Sequence, residues 1–309
     1  MISDQPHNNV EFKIKYKYFF DKVNKALSGL IDENGSLEKT IYGAMNYSLM
    51  AGGKRLRPIL SLAVCEMLDG NLDEVMPYAC ALEMIHTYSL IHDDLPAMDN
   101  DDYRRGRLTN HKVFGEAKAI LAGDALLNYA FEYMLECALD IKSVKNYNLE
   151  DNVKAISYIA KAAGVNGMIG GQVIDIESEG IQVTNEHLEY MHKHKTGALI
   201  RAAVMIPAIL SESDDEKKKA LEKYSANIGL AFQVKDDILD SEGDFKLMGK
   251  GIGKDANVGK STFVSFYGIN TSLEILRKLI QDALDSLQIF GAKACFLKGL
   301  AAYIAEREN

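Results

Sequence analysis

Two groups of carboxylates dominate the chemistry available to this sequence. Between Ile85 and Arg107 the chain crowds five aspartates, Asp93, Asp94 and Asp99 first among them, ahead of Arg104, Arg105 and Arg107. A second group, Asp236-Asp237-x-x-Asp240, closes another apolar segment. Adjacent carboxylates repel, and one of a pair tends to reprotonate unless positive charge intervenes. A hard divalent cation held by oxygen ligands supplies that charge. Guanidinium groups close by point to an anionic ligand such as phosphate. One Asp-Asp pair reads most simply as a solvated loop. Two of them, each ending a helical pattern, read as opposing jaws around metal ions.

Smaller signals point the same way. Gly52-Gly53-Lys54-Arg55-x-Arg57-Pro58 is a glycine-rich turn feeding Lys54 and Arg57 into a helix start, where backbone N–H groups favour an anion. Leu82, His86, Ser89 and Asp93 fall at helical spacing and stack in one row. Asp93 and Asp99 cannot share a face of a regular helix, but Pro96 between them should break it; the expectation is that the break returns Asp99 to the side of Asp93. Gln172 and Asp175 either face a polar cavity or make a half-buried structural hydrogen bond. Gly229, Gln233, Asp236 or Asp237, and Asp240 share one helix face, and Asp236 with Asp240 can chelate one ion. Other signals fail. His192-x-His194 lacks further ligands at zinc spacing. Gly-Lys-Ser-Thr at 259–262 has Lys254 where a phosphate loop needs glycine, and it follows an acidic helix instead of a strand. No Ser/His/Asp or Cys/His nucleophile arrangement is evident.

Helical periodicity must position these groups. Phe12, Tyr16, Phe19, Val23, Leu27 and Leu30 form the apolar stripe of a first helix, ended by Gly35-Ser36. Helices are predicted over about 37–50, from about Asp73 into the first acidic cluster, over about 112–137, and over 151–177. Thr184-Asn185 is the predicted N-cap of the helix bearing Lys193, Lys195 and Thr196. Ser213-x-x-Glu216 and Thr271-x-x-Glu274 read as capping boxes. Between them, residues 241–262 form a lysine- and glycine-rich loop of the length usual for lids. With no strand alternation, repeat or linker, residues 1–309 are expected to be one all-α domain.

Composition narrows the class. The 309 residues are 47% hydrophobic, ample for a large core, and the formal charge of −9 argues against a nucleic-acid partner. No 18-residue apolar stretch spans a membrane, and no signal peptide is evident. Cys65, Cys80, Cys137 and Cys295 form no C-x-x-C and lie in apolar helical contexts, which predicts core thiols in a reducing, cytoplasmic setting. Two acidic clusters with separate cationic groups suit a diphosphate bridged by magnesium, whose charge must be neutralised before it can leave.

The ordered motifs Gly52-Gly53-Lys54-Arg55-x-Arg57-Pro58, Asp93-Asp94-x4-Asp99, Arg104-Arg105-Gly106, Gly170-Gly171-Gln172, Lys195-Thr196 and Phe232-Gln233-x-x-Asp236-Asp237-x-x-Asp240 cover nearly the whole chain. In them the chain resembles the trans-prenyltransferases, or polyprenyl synthases, with the bacterial farnesyl diphosphate synthases (geranyltranstransferases) the nearest match. The resemblance implies an isoprenoid synthase fold, a helical bundle around a central active-site cavity, in a homodimer with three magnesium ions. It implies that Asp93, Asp94 and Asp99 hold two ions and Asp236, Asp237 and Asp240 the third. Arg104, Lys195, Gln233, Lys250 and Lys260 would contact the allylic diphosphate (dimethylallyl or geranyl). Lys54, Arg57, His86 and Arg105 would bind isopentenyl diphosphate. Thr196 and Gln233 would present oxygens to the allylic cation. Leu108 and Val264 stand where the family commonly has proline, and Tyr103 where it has leucine; none is a proposed ligand.

In the family an aromatic five residues before the first aspartate tends to floor the product tunnel. Tyr88, with Ser89 beside it, occupies that position, about 7.5 Å along the helix axis from Asp93. The expected product is therefore farnesyl diphosphate, with geranylgeranyl diphosphate the alternative. A terpene cyclase would not need a second diphosphate site, and a non-catalytic prenyltransferase subunit would typically have eroded aspartates.

Overall fold

The computed structural model describes residues 10–32, 37–140, 148–178, 180–181, 183–242 and 262–307. They form an all-α bundle: α1 (Val10–Ser28), α2 (Lys39–Leu49), α3 (Leu56–Met67), α4 (Leu72–Asp93), α5 (Asn110–Phe114), α6 (Glu116–Leu139), α7 (Leu149–Ala163), α8 (Met168–Glu177), α9 (Asn185–Lys195), α10 (Gly197–Leu210), α11 (Asp215–Glu242), α12 (Phe263–Ser286) and α13 (Cys295–Glu306), with a 3₁₀ segment at Gln288–Ala294. A two-residue hairpin, β1 (Tyr103–Arg104) and β2 (Arg107–Leu108), interrupts them.

α4 is the axis. Asn71 caps it, its side chain accepting from the Asp73 amide. Apart from the row of His86, Ser89 and Asp93 it has no polar face: Val75, Ala79, Leu82, Ile85 and Ile91 are buried on different sides of it, as expected of a helix enclosed by neighbours. Those neighbours are α3, α6 and α10. Gly123 on α6 lies so near α4 that a Cβ there would strike the His92 ring. α1 meets α13: Phe12 stacks on Phe296 at 5.1 Å between centroids, in space left by Gly299. A second apolar cluster, with Leu188, Met191, Val234, Ile238, Phe263 and Leu276, joins α9, α11 and α12.

Several expected boundaries move. The helix predicted over 112–137 is two helices, divided at Gly115 with φ 88°. That over 151–177 divides at 164–167, where Gly167 lies tight against the Ala162 carbonyl. α11 is capped by Asp214, which accepts from the Lys217 amide, and not by Ser213. α12 begins at Phe263, capped by Thr262, which forms a reciprocal capping box with Ser265; Thr271 is interior, and Gly268 at φ 73° puts the kink before it. Thr184 does cap α9. Cys65 and Cys80 are buried, Cys137 is partly so, and Cys295 is exposed, so the thiols are not uniformly in the core. No single described helix is long and apolar enough to cross a membrane.

Candidate active site

α4 ends at Asp93, and Pro96 prevents its continuation. The chain turns back, so that the Asp99 amide donates to the Asp93 carbonyl at 2.9 Å. The break thus returns Asp99 to Asp93, as the sequence predicts. Burial pushes the Asp93 carboxyl above its usual range; Asp99 and Asp175 push the same way, against Lys195 and Arg104. Asp94 differs from its neighbours. It is buried, and its Oδ1 accepts from Arg104 Nε at 2.7 Å and Nη2 at 2.6 Å.

The hairpin fixes the arginines. Its turn residues, Arg105 at φ 53° and Gly106 at φ 73°, have the paired positive φ of the tight turns that match strand twist. Arg104 is aimed inward at Asp94, while Arg105 folds over the 52–53 turn and donates to the Gly52 carbonyl. Gly53 at φ 107° is required twice over, by its backbone and because a Cβ would strike the Arg105 guanidinium. The next residues are pinned from behind. Arg55, at φ 50° and 2% exposed, donates to Asn24, to the Leu49 carbonyl and to buried Glu83 at 2.7 Å, while Tyr16 donates to the Lys54 carbonyl at 2.6 Å. Lys54 and Arg57 are thereby held as a cationic pair beside His86. Burial, then Arg307, lowers Lys54 to about 8, and burial lowers Arg57 to about 10. His86 is pushed well below its usual value by burial, then by Arg57, Arg105 and Arg104, so it is neutral at pH 7. The buried Nε of Arg57 has no partner among the described residues.

The facing wall comes from α8–α11. Gly171 lies against the Lys195 backbone so closely that a Cβ would overlap it, and one turn on, buried Asp175 takes the Lys195 ammonium at 2.5 Å. Gln172 lines the cavity, whereas Asp175 makes the structural contact. Thr196, at the α9–α10 joint, donates to Gln233 Oε1 at 3.0 Å, and Gln233 Nε2 donates to Asp237 Oδ1 at 3.0 Å. Asp237, 4% exposed, also accepts from the Phe263 amide at 2.8 Å. Asp236 and Asp240 are only partly buried. Arg307 donates to Asp236 Oδ1 and to the Phe232 carbonyl, both at 2.8 Å, with its guanidinium 3.9 Å from the Phe232 ring centre. Asp236 acts on both Lys54 and Arg57, and Arg57 lines the same cavity as Asp93. Asp93 thus stands by Lys195 and Arg104, and Asp236 by Lys54, Arg57 and Arg307, with Arg57 reaching the cavity that Asp93 lines.

That cavity is about 500 Å³, lined at its polar end by Arg57, His86, Asp93, Lys195 and Thr196, and beyond by Tyr88, Ser89, Met168, Ile169 and Val173. Such a space suits an anionic head with a hydrocarbon tail. Tyr88 is 6% exposed, edge-on to His92 at 5.7 Å.

The donor set fits a hard divalent cation: Asp93, Asp99, Asp236 and Asp240 offer only carboxylate oxygen, and Asp93 stands among like charges. Among the described residues no three such side chains already converge, since Arg104 and Arg307 engage Asp94 and Asp236. Asp94 and Asp237 are each buried against protein donors, whereas Asp93, Asp99, Asp236 and Asp240 are partly exposed. Lys250 and Lys260 lie outside the described residues. Arg307, which pairs with Asp236, and Glu83, which pairs with Arg55, lie in no motif, and no local spacing marks them.

A family model described as Polyprenyl synthetase matches residues 38–290. A farnesyl diphosphate synthase from Micrococcus luteus is 46% identical over 289 residues, 94% of this chain and 97% of that protein. A chloroplastic geranylgeranyl pyrophosphate synthase from Catharanthus roseus is 47% identical over 291 residues, 94% of this chain and 79% of that protein. The crystal structure of a geranyltransferase from Legionella pneumophila superposes with a TM-score of 0.86 at 34% identity, covering 97% of this chain and 98% of that one. The motifs, the helical cavity and these likenesses agree: the chain belongs to the polyprenyl synthetase family and is a prenyltransferase.

Proposed function

We propose that the chain condenses isopentenyl diphosphate with dimethylallyl and then geranyl diphosphate to give (2E,6E)-farnesyl diphosphate. The observation that carries the reading is a second group of cations, Lys54, Arg57 and Arg105, with neutral His86 among them, beside the acidic clusters; Arg57 and His86 line the same cavity as Asp93. One diphosphate needs only one such group; two substrates need both.

Asp93 and Asp99 on one wall and Asp236 and Asp240 on the other would hold magnesium, with Asp94 and Asp237 supporting them from behind. Bound magnesium supplies neutralisation of diphosphate charge. Lys195 and Arg104 orient the allylic diphosphate. Its C1–O bond breaks and the diphosphate leaves with the electron pair. The Thr196 and Gln233 oxygens face the resulting allylic cation. Lys54, Arg57, His86 and Arg105 hold isopentenyl diphosphate so that its double bond attacks C1, and the released diphosphate takes the proton lost in forming the new double bond. Tyr88 ends the space available to the growing tail. A homodimer is proposed with this function, supported by exposed apolar side chains on α6 such as Leu121, Leu135 and Leu139; a cytoplasmic location is proposed with it.

The test is product chromatography after incubating the purified chain with both C5 diphosphates, with and without Mg²⁺. A C15 diphosphate formed only with Mg²⁺ is expected. A C20 product moves the assignment to geranylgeranyl diphosphate, the reading that the Catharanthus roseus relative favours; a cyclic hydrocarbon, or no product from the chain alone, rejects chain elongation.

A further inference from the structure

The second acidic pair divides its labour. Asp236 is partly exposed beside the cavity's cationic groups, whereas Asp237 is buried among protein donors. It receives the Phe263 amide, at the start of α12, on Oδ2 at 2.8 Å and Gln233 Nε2 on Oδ1 at 3.0 Å. Gln233 in turn receives the Thr196 hydroxyl on Oε1 at 3.0 Å. Thr196 lines the cavity that also holds Asp93 and Lys195.

We propose that Asp237 is a positioning residue that sets the polarity of Gln233 and Thr196, so that the Thr196 hydroxyl turns lone pairs, and not its proton, towards the cavity. The inference rests on the function proposed above. A carboxylate only accepts, so Gln233 must turn its NH₂ group to Asp237 and its carbonyl oxygen to Thr196. The Thr196 proton is then committed to Gln233, and the remaining lone pairs of Oγ1 are the part left for the substrate. An electron-rich oxygen favours a neighbouring carbocation; a hydroxyl proton in its place opposes one. Without Asp237, nothing in this row selects one orientation of the amide over the other.

Asp237→Asn tests this directly. The side-chain amide so introduced can still accept from the Phe263 N–H through its oxygen, but its NH₂ group then faces Gln233. Gln233 must flip to present Oε1, and its own NH₂ group drives the Thr196 proton into the cavity. The expected result is a kcat lowered roughly tenfold or more, with KM for both substrates and the Mg²⁺ concentration for half-maximal rate within about twofold of wild type. The exchange Gln233→Glu with Asp237→Asn restores an acceptor facing Thr196 and is expected to recover kcat to within about threefold of wild type. In a Thr196→Val background, Asp237→Asn is expected to cost nothing further, because effects that act through one group do not add. An Asp237→Asn enzyme with unchanged kcat, or one whose Mg²⁺ requirement shifts as that of Asp236→Asn does, overturns the inference. So does an exchange variant without recovery, or full additivity with Thr196→Val. A wild-type chain that forms no prenyl product instead removes the proposed function itself.

Discussion

The Asp99 amide donates to the Asp93 carbonyl at 2.9 Å across the turn that contains Pro96. The turn is stitched by backbone, so the two carboxylates are brought together without either side chain being used for the purpose. This leaves Asp93 in an uncomfortable place. Its folded pKa is raised, first by burial and then by Asp99 and Asp175. A carboxyl whose folded pKa lies above its unfolded value subtracts stability at neutral pH, and the loss fades as pH falls from the folded pKa to the unfolded one, below which it is gone. Asp93→Asn should therefore melt no lower than the parent in Mg²⁺-free buffer at pH 7, while kcat falls by roughly two orders of magnitude or more. Calorimetry beside steady-state kinetics checks both, and a lowered melting point with full activity would reverse the assignment.

Tyr88 is nearly enclosed and lines the apolar part of the cavity. Replacing it with alanine opens space along the α4 wall, and the chain should then release products of C20 and longer. Tyr88→Phe, which keeps the volume, should still give C15. Chromatography of dephosphorylated products decides, and an unaltered C15 product from Tyr88→Ala would discard Tyr88 as the floor.

Lys54 titrates at about 8, depressed by burial and then by Arg307. It carries its charge below that pH and loses it above, and only the charged form attracts a diphosphate. KM for isopentenyl diphosphate is expected to rise as pH passes from 7 to about 9, with little change in KM for the allylic substrate. Lys54→Arg should flatten the profile. A wild-type profile already flat would remove Lys54 from the second diphosphate pocket.

The Arg55–Glu83 pair is almost wholly buried, with side chains 1% and 2% exposed. Removing one member strands the other, so Arg55→Met alone should cost about 3–5 kcal/mol. Arg55→Met with Glu83→Leu should regain most of that in urea unfolding, but not the positions of Lys54 and Arg57, which Arg55 braces through Asn24 and Leu49. A double variant that is stable yet has a raised KM for isopentenyl diphosphate would show that the pair serves placement more than stability.

Much of this arrangement is legible in the sequence, because helices announce themselves by period and the acidic motifs end them. The Pro96 turn and the Thr184 cap follow from local chemistry. What stays hidden is non-local or very short. The hairpin strands of two residues each are too brief to alternate. Gly115 ends one helix and starts the next through a positive φ that the glycine permits but does not impose. The true start of α12, capped by Thr262, is concealed by the loop-like composition before it, and Thr271 offers a decoy. Burial separates Asp94 from Asp93 and Asp237 from Asp236, and adjacent identical letters cannot show which one turns inward. Arg307 meets Asp236 across 71 positions of chain, beyond the reach of any spacing rule.

That last contact has a consequence for how the enzyme is made. Arg307 follows α13, which rests on α1, the first described helix, and its guanidinium reaches the row of acids on α11. A ribosome still holding α13 and Arg307 in its exit tunnel carries a nascent chain with the acids already emerged and their arginine missing, so the mature arrangement arises only after translation has passed residue 307.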